Sequence, residues 1–200
     1  MKILTVHYKT PDLIYRQYES IRQFYPLINY EVIDGSDDGN HYFEDLEKKD
    51  DNFKIKRFGY NIHHGPGMNY GIINSEVNEI IILDSDVWLK KDFLDIFLKN
   101  FNGIAKGMKL LINDEGISST QKNRTSNNNF KYPYIHPYCM LVNKTEYLKY
   151  KPFVKHGAPC IEFMVDVYNN DKSDLLIDFP IEEYVNLEIR GTRSRWGINL

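Results

Sequence analysis

Asp84 and Asp86, separated by Ser85, are the sharpest chemical feature of this 200-residue chain. They follow Ile80-Ile81-Ile82-Leu83, an unbroken apolar run of the kind expected of a central strand buried on both faces. Side chains alternate with period two in extended backbone, so the two carboxylates are expected to point the same way. Such a pair suits a hard divalent cation, Mg²⁺ or Mn²⁺, which takes oxygen ligands and is often completed by substrate phosphates. Alone, the triplet is better explained as a turn in which an Asp caps a helix starting near Lys91.

A second acid, Asp34, closes Val32-Ile33-Asp34 and runs into the turn-rich Gly35-Ser36-Asp37-Asp38-Gly39. This loop is flexible enough to wrap a nucleobase and ribose, and a carboxylate accepts the imide N–H of uracil. Asp37 and Asp38 read better as Asx-type turn formers. In the second half, Glu162 and Asp166 stand i, i+4 on a predicted helix near 160–170 and share one face. Either carboxylate can act as a general base. Arg190, Arg193 and Arg195 can clamp a diphosphate bidentately, and a solvated basic tail is the equal alternative. His63, His64, His136 and His156 show no metal spacing, and each taken alone reads as structural.

The elements that must position these groups alternate. Residues 2–8 read as a strand, and Thr10-Pro11-Asp12 starts a helix with a cap, a proline in the first turn and an acid beside it. Ile14, Tyr18, Ile21 and Tyr25 mark its apolar face. A strand at 29–34, a short helix at 41–49, a strand at 53–58, a helix at 66–77 with Met68, Ile72 and Ile73 inward, and the apolar strand at 80–83 follow. This β-α-β alternation predicts an α/β fold with a mostly parallel central sheet flanked by helices on both faces and ligands at the carboxyl ends of its strands. A helix at 91–101, strands at 103–112 and 134–143, the helix at 160–170, and strands at 174–179 and 183–190 complete the reading. The polar stretch 113–131 is too long for an ordinary connection and is expected to be disordered or a mobile lid.

The bulk properties narrow the class. The length suits one domain over residues 1–200, with no repeat or linker, and the hydrophobic fraction of 42% supports a folded core. A net charge of −3 gives no basic field for nucleic acid. Cys139 and Cys160 form neither a CxxC pair nor a zinc cluster and are expected to be reduced core thiols. The N-terminus lacks a signal-peptide core and no run reaches transmembrane length, so a soluble cytoplasmic protein is expected.

Taken in order, these segments resemble the family-2 type glycosyltransferases of GT-A fold. The resemblance starts at Leu4-Thr5-Val6-His7-Tyr8-Lys9-Thr10-Pro11-Asp12-Leu13 and continues through Val32 to Gly39. Next comes Asn61-Ile62-His63-His64-Gly65-Pro66-Gly67-Met68-Asn69-Tyr70-Gly71, similar to the family's segment before the metal strand. Ile82-Leu83-Asp84-Ser85-Asp86-Val87 followed by Phe93-Leu94 completes it. The resemblance implies a GT-A (Rossmann-like) domain with a nucleotide-sugar-binding half at 1–101 and an acceptor half at 102–200. It implies metal-assisted, inverting transfer from a nucleotide-diphosphate sugar, a UDP-sugar favoured, to a glycan, lipid-linked or protein hydroxyl. Thr10 and Asp34 then contact the donor nucleoside, Asp84 its ribose or metal-bound phosphate, and Asp86 the Mn²⁺ or Mg²⁺. For the base, the spacing before Pro180 suits Glu162 and the local sequence suits Asp166. Relatives carry a metal-ligating histidine before a Gly-Thr pair near the C-terminus, whereas this chain has none before Gly191-Thr192. Glu188, Asn186, or water and phosphate are the substitutes. A nucleotidyltransferase is the runner-up, disfavoured because Val6-His7-Tyr8-Lys9-Thr10-Pro11 contains no glycine. An inactive nucleotide- or carbohydrate-binding module is the third reading.

Overall fold

The structure, a computed structural model, describes residues 1–154 and 157–188. The chain runs β1 (Lys2–His7), α1 (Pro11–Phe24), β2 (Asn29–Asp34), α2 (Glu44–Lys49), β3 (Phe53–Arg57), α3 (His64–Ile73), β4 (Glu79–Leu83) and β5 (Val87–Leu89). It continues with α4 (Leu94–Leu98), β6 (Ala105–Ile112), β7 (Tyr132–Asn143), α5 (Lys144–Tyr147), α6 (Ile161–Asn169), β8 (Leu176–Asp178) and β9 (Val185–Leu187).

Seven strands form the main sheet in the order β3-β2-β1-β4-β7-β6-β8. The four strands β3, β2, β1 and β4 are parallel, β7 runs against both β4 and β6, and β8 is parallel to β6. The sheet is therefore mostly parallel, with β7 reversed inside it. Chain order changes direction between β1 and β4, and such a switch point opens a crevice at the strand carboxyl ends.

Alternation along β4 explains its unbroken apolar run. Ile81 and Leu83 face one core with Ile14 and Ile21 of α1, Leu46 of α2 and Phe97 of α4. Ile80 and Ile82 face the other with Met68 and Ile72 of α3, Tyr147 of α5 and Phe163 of α6. Helices thus cover both faces. On α3 two glycines permit close approach: a Cβ on Gly71 would fall 2.4 Å from Leu4 Cδ1, and one on Gly67 2.9 Å from Val6 Cγ1.

Several expected boundaries move. The helix at 66–77 begins instead at His64 and ends at Ile73, and Ile73 is 45% exposed instead of inward. The helix at 91–101 contracts to α4. Its turn ends at Asn100 with φ of 55°, and β5, a strand of three residues, precedes it. β5 pairs antiparallel with β9 in a separate two-stranded sheet. The 113–131 stretch joins the adjacent strands β6 and β7 and holds a 3-10 turn at Ser119–Arg124. Fully buried Asn113 organises it: Oδ1 accepts from the amides of Glu115 and Ile117, and Nδ2 donates to Asn127 O at 2.9 Å. Cys139 and Cys160 are both free and buried, as expected.

Candidate active site

The end of β4 is fixed by backbone before any side chain acts. Asp84 N–H donates to Tyr138 O at 3.0 Å, extending the ladder past Leu83, and Val87 N–H then donates to Asp84 O at 3.1 Å. The triplet therefore sits in a tight β-turn, which corrects the extended-backbone expectation: the chain must reverse here into β5. Gln17 of α1 bolts this turn. Its Nε2 donates to Asp84 O at 2.8 Å and Val87 O at 2.6 Å, while its Oε1 accepts from Thr5 Oγ1 and Tyr30 Oη. Every hydrogen-bonding site of this fully buried amide is satisfied.

The carboxylates on this turn are poorly satisfied. His64, the first residue of α3, places Nε2 2.9 Å from Asp84 Oδ1. The contact is an ion pair, and the buried Oδ1 completes no hydrogen bond of good geometry. Burial acts upward on Asp84, but His64, aided by His136, holds its carboxyl below the usual range. Asp86 goes the other way: burial first, then the Asp84 charge, with Glu188 adding, push it up to about 6. For His64, burial acts downward, but Asp84 and Asp86 together raise it. His136 is lowered by burial. It stands where β6 and β7 lose register, Gly107 pairing with Met140 and Lys109 with Ile135. Pro137 lacks the N–H a regular ladder needs at that point.

Among the described residues, no three His, Cys, Asp or Glu side chains form a ready metal cage. The residues present still fit a Mg²⁺ or Mn²⁺ ion, which typically takes one or two carboxylates plus substrate phosphates and water. Asp84 offers an oxygen with no good hydrogen bond, and Asp86 a carboxylate raised by burial and then by the Asp84 charge. Glu188 lies next to them, its amide donating to Asp86 O at 2.9 Å. Its carboxylate pairs with Arg16 Nη1 at 3.0 Å, and that guanidinium lies over Trp88. Asn186 pairs with Trp88 across the small sheet. Arg190, Arg193, Arg195 and His156 lie outside the described residues.

A second carboxylate site forms at the end of β2. His7 and Asp34 are register partners, and His7 Nδ1 lies 2.9 Å from Asp34 Oδ1. The same oxygen accepts from Ser36 N–H at 2.9 Å, and Ser36 Oγ accepts from Lys9 N–H. Burial acts upward on Asp34, yet the bonds from His7 and Ser36 outweigh it and hold its carboxyl low. Thr10, the residue before α1, makes no side-chain cap, and its Oγ1 is buried without a partner. Lys9 and Asp37 form an ion pair at the rim. A Cβ on Gly35 would meet Ile62 Cγ2 at 3.2 Å, so the loops after β2 and β3 touch there.

The two acids of α6 differ in their surroundings. Asp166 Oδ2 accepts from Lys151 N–H at 2.9 Å. Glu162 lies in the first turn, two residues after Cys160, whose thiol bonds with Tyr134 and is raised by burial and by the Asp84 charge. Cys160, the residue before α6, thus feels the Asp84 charge. Sequence reasoning missed three residues of this region. Gln17 carries no local signal of what it holds, and His7 and His64 stand in family-like segments without spacing that marks them as site residues.

A mostly parallel sheet flanked by helices, with an acidic turn at its switch point, is a GT-A-like α/β architecture. The glycosyl transferase family 2 model matches residues 3–161, and the chain belongs to that family. No curated protein matches it in sequence. The fold is similar to GalNAc-T7 solved with UDP, GalNAc and Mn²⁺, with a TM-score of 0.67 and 12% identity over 93% of this chain and 42% of that one. It is similar to *S. aureus* TarS residues 1–349, with a TM-score of 0.61 and 16% identity over 95% of this chain and 61% of that one. A glucose-1-phosphate thymidylyltransferase from *Bacillus anthracis* also shares the fold, with a TM-score of 0.56 and 11% identity over 98% and 92%. Fold alone does not separate glycosyl from nucleotidyl transfer; the family match does. No described helix is long and apolar enough to cross a membrane.

Proposed function

We propose that the chain transfers a sugar with inversion from a UDP-sugar to a hydroxyl acceptor, using Mn²⁺ or Mg²⁺ held by Asp84 and Asp86. The observation that carries this reading is the carboxylate turn at the end of β4, where Asp84 Oδ1 lacks a good hydrogen bond and Asp86 is pushed up to about 6. Bound there, the cation neutralises charge on the departing diphosphate. Thr10 and Asp34 meet the nucleoside, and Arg190 and Arg193 approach the diphosphate. The UDP and Mn²⁺ of the GalNAc-T7 structure support the choice of donor and metal.

Glu162 takes the part of the base. It stands in the first turn of α6, which follows directly on Cys160, a residue that feels the Asp84 charge. Its carboxylate receives the acceptor proton as the new bond forms on the face opposite the leaving diphosphate. The loop at 113–131 closes over the donor and excludes water.

Thermal shift and donor turnover, each with and without Mn²⁺, test the reading. UDP with Mn²⁺ should raise the melting temperature, and Asp86→Ala should remove the metal-dependent part. Equal shifts in variant and parent would refute the metal assignment. Glu162→Gln should keep the UDP shift and lose about a hundredfold or more of transfer, while Asp166→Asn transfers normally. NMR of the product anomer decides inversion. Release of pyrophosphate from a nucleoside triphosphate would point to nucleotidyl transfer instead.

A further inference from the structure

His7 is completely buried, and both of its ring nitrogens are engaged. Nε2 accepts from Thr10 N–H at 2.9 Å, so the ring proton lies on Nδ1 and is donated to Asp34 Oδ1 at 2.9 Å. The edge-on rings of Tyr42 and Phe43, with centroids 5.4 and 5.0 Å away, fix the plane of the imidazole. One side chain thus holds two residues assigned to the donor nucleoside, and it does so across the β1–β2 register.

The distribution of bonds on Asp34 gives this arrangement a direction. Both donors, His7 Nδ1 and Ser36 N–H, end on Oδ1. The Ser36 hydroxyl adds to the hold on this carboxylate, while the bonds of defined geometry leave Oδ2 without a donor among the described residues. A carboxylate fixed by one oxygen presents the other as an acceptor in a single orientation. An acceptor at that point matches the N3–H of uracil and opposes the lone pair at N3 of cytosine. On the Thr10 side, the same imidazole fixes the backbone that carries the unpartnered Oγ1.

We propose that His7 is a positioning residue of the donor site, a neutral imidazole that aims Asp34 Oδ2 and so sets the preference for uracil over cytosine. The inference rests on the assignment of Asp34 to the nucleobase.

Two amide variants separate its halves. Asn at position 7 places an N–H near Nδ1 and retains the bond to Asp34. Gln places its amide near Nε2 and retains only the contact with Thr10. Titration of UDP and CDP with Mn²⁺ by calorimetry should show parental preference in His7→Asn. In His7→Gln, UDP affinity should fall about tenfold, as expected for one lost bond to a charged group, with CDP unchanged. The donor KM should rise with it while kcat holds. Equal losses of UDP and CDP, or no loss in either, would overturn the proposal as those of a structural residue. Should His7→Gln fail to fold, Asp34→Asn with His7 intact replaces it, and an unaltered UDP-to-CDP ratio there overturns the proposal. Parent protein that binds UDP and CDP equally removes the base assignment itself, and this inference with it.

Discussion

Two strands of one sheet end in a carboxylate at the same edge, and their surroundings could hardly differ more. At the end of β2, Asp34 receives two hydrogen bonds on one oxygen and is held below the usual carboxylate range against its burial. At the end of β4, Asp84 has an oxygen with no good hydrogen bond, and Asp86 is pushed up to about 6 by burial and the Asp84 charge. The first site is held by the protein through one carboxylate oxygen. The second holds two like charges together, with His64 in ion contact and His136 nearby. Strand-end position therefore does not define a role; the partners do. A carboxylate fixed through one oxygen serves as an oriented acceptor through the other, and a crowded pair has affinity for a cation.

The contrast depends on the β4 turn being unable to relax, which Gln17 ensures. Gln17→Leu leaves the Asp84 and Val87 carbonyls and the Thr5 and Tyr30 hydroxyls without this partner. The expected loss of folding stability is about 3–5 kcal/mol, measured by urea denaturation. A loss below about 1 kcal/mol would mean that the turn holds without its bolt.

The next effect is a gain. For the metal-free protein, Asp86→Asn removes the repulsion between the paired carboxylates. A carboxyl raised from 3.8 to about 6 destabilises the fold once it must ionise. The sign follows from that: wild type loses stability as the pH rises from about 4 through 6, and the Asn variant does not. At pH 8 the variant should be more stable by about 2–3 kcal/mol, and at pH 3.5 the two should coincide. Melting curves in chelator across that range check it, and a variant less stable at pH 8 would place the strain elsewhere.

What was legible in the sequence follows the same division between local and distant causes. The apolar run of β4, the proline at the start of α1 and the order of the acidic segments are local patterns, and they placed the sheet and the acids. β5 was not legible, because three residues are too few for any periodicity and the preceding acids read as a helix cap. Gln17 occupies a helix face as an ordinary polar residue. Its burial follows only from partners that β1, β2 and the β4 turn bring to it. Glu162 and Asp166 are equivalent by spacing, and the bond that Asp166 accepts from the Lys151 amide, 15 residues away, is a contact that spacing does not announce. The register that sets His7 against Asp34 joins residues of different strands, so neither flank announces it.

The smallest effect is the mirror image of the Asp86 gain. Asp34→Asn keeps a carbonyl oxygen able to accept from His7 and Ser36, so the loss is only the extra strength that charge gives those bonds. That difference is about 1 kcal/mol, since charge-assisted bonds are roughly twice as strong as neutral ones. The folded-state carboxyl is held low, so its contribution is fully present above the ordinary value of 3.8 and fades as the pH falls through the lower folded-state value. The variant should therefore be less stable than wild type at pH 7 and approach it in acid. Across the same titration Asp86→Asn diverges upward from wild type as the pH rises, while Asp34→Asn diverges downward. Opposite signs in chelator-treated protein would establish that one strand end is held by its bonds and the other is not. If Asp34→Asn instead gained stability at pH 7, burial would outweigh the bonds from His7 and Ser36, and the two strand ends would be alike.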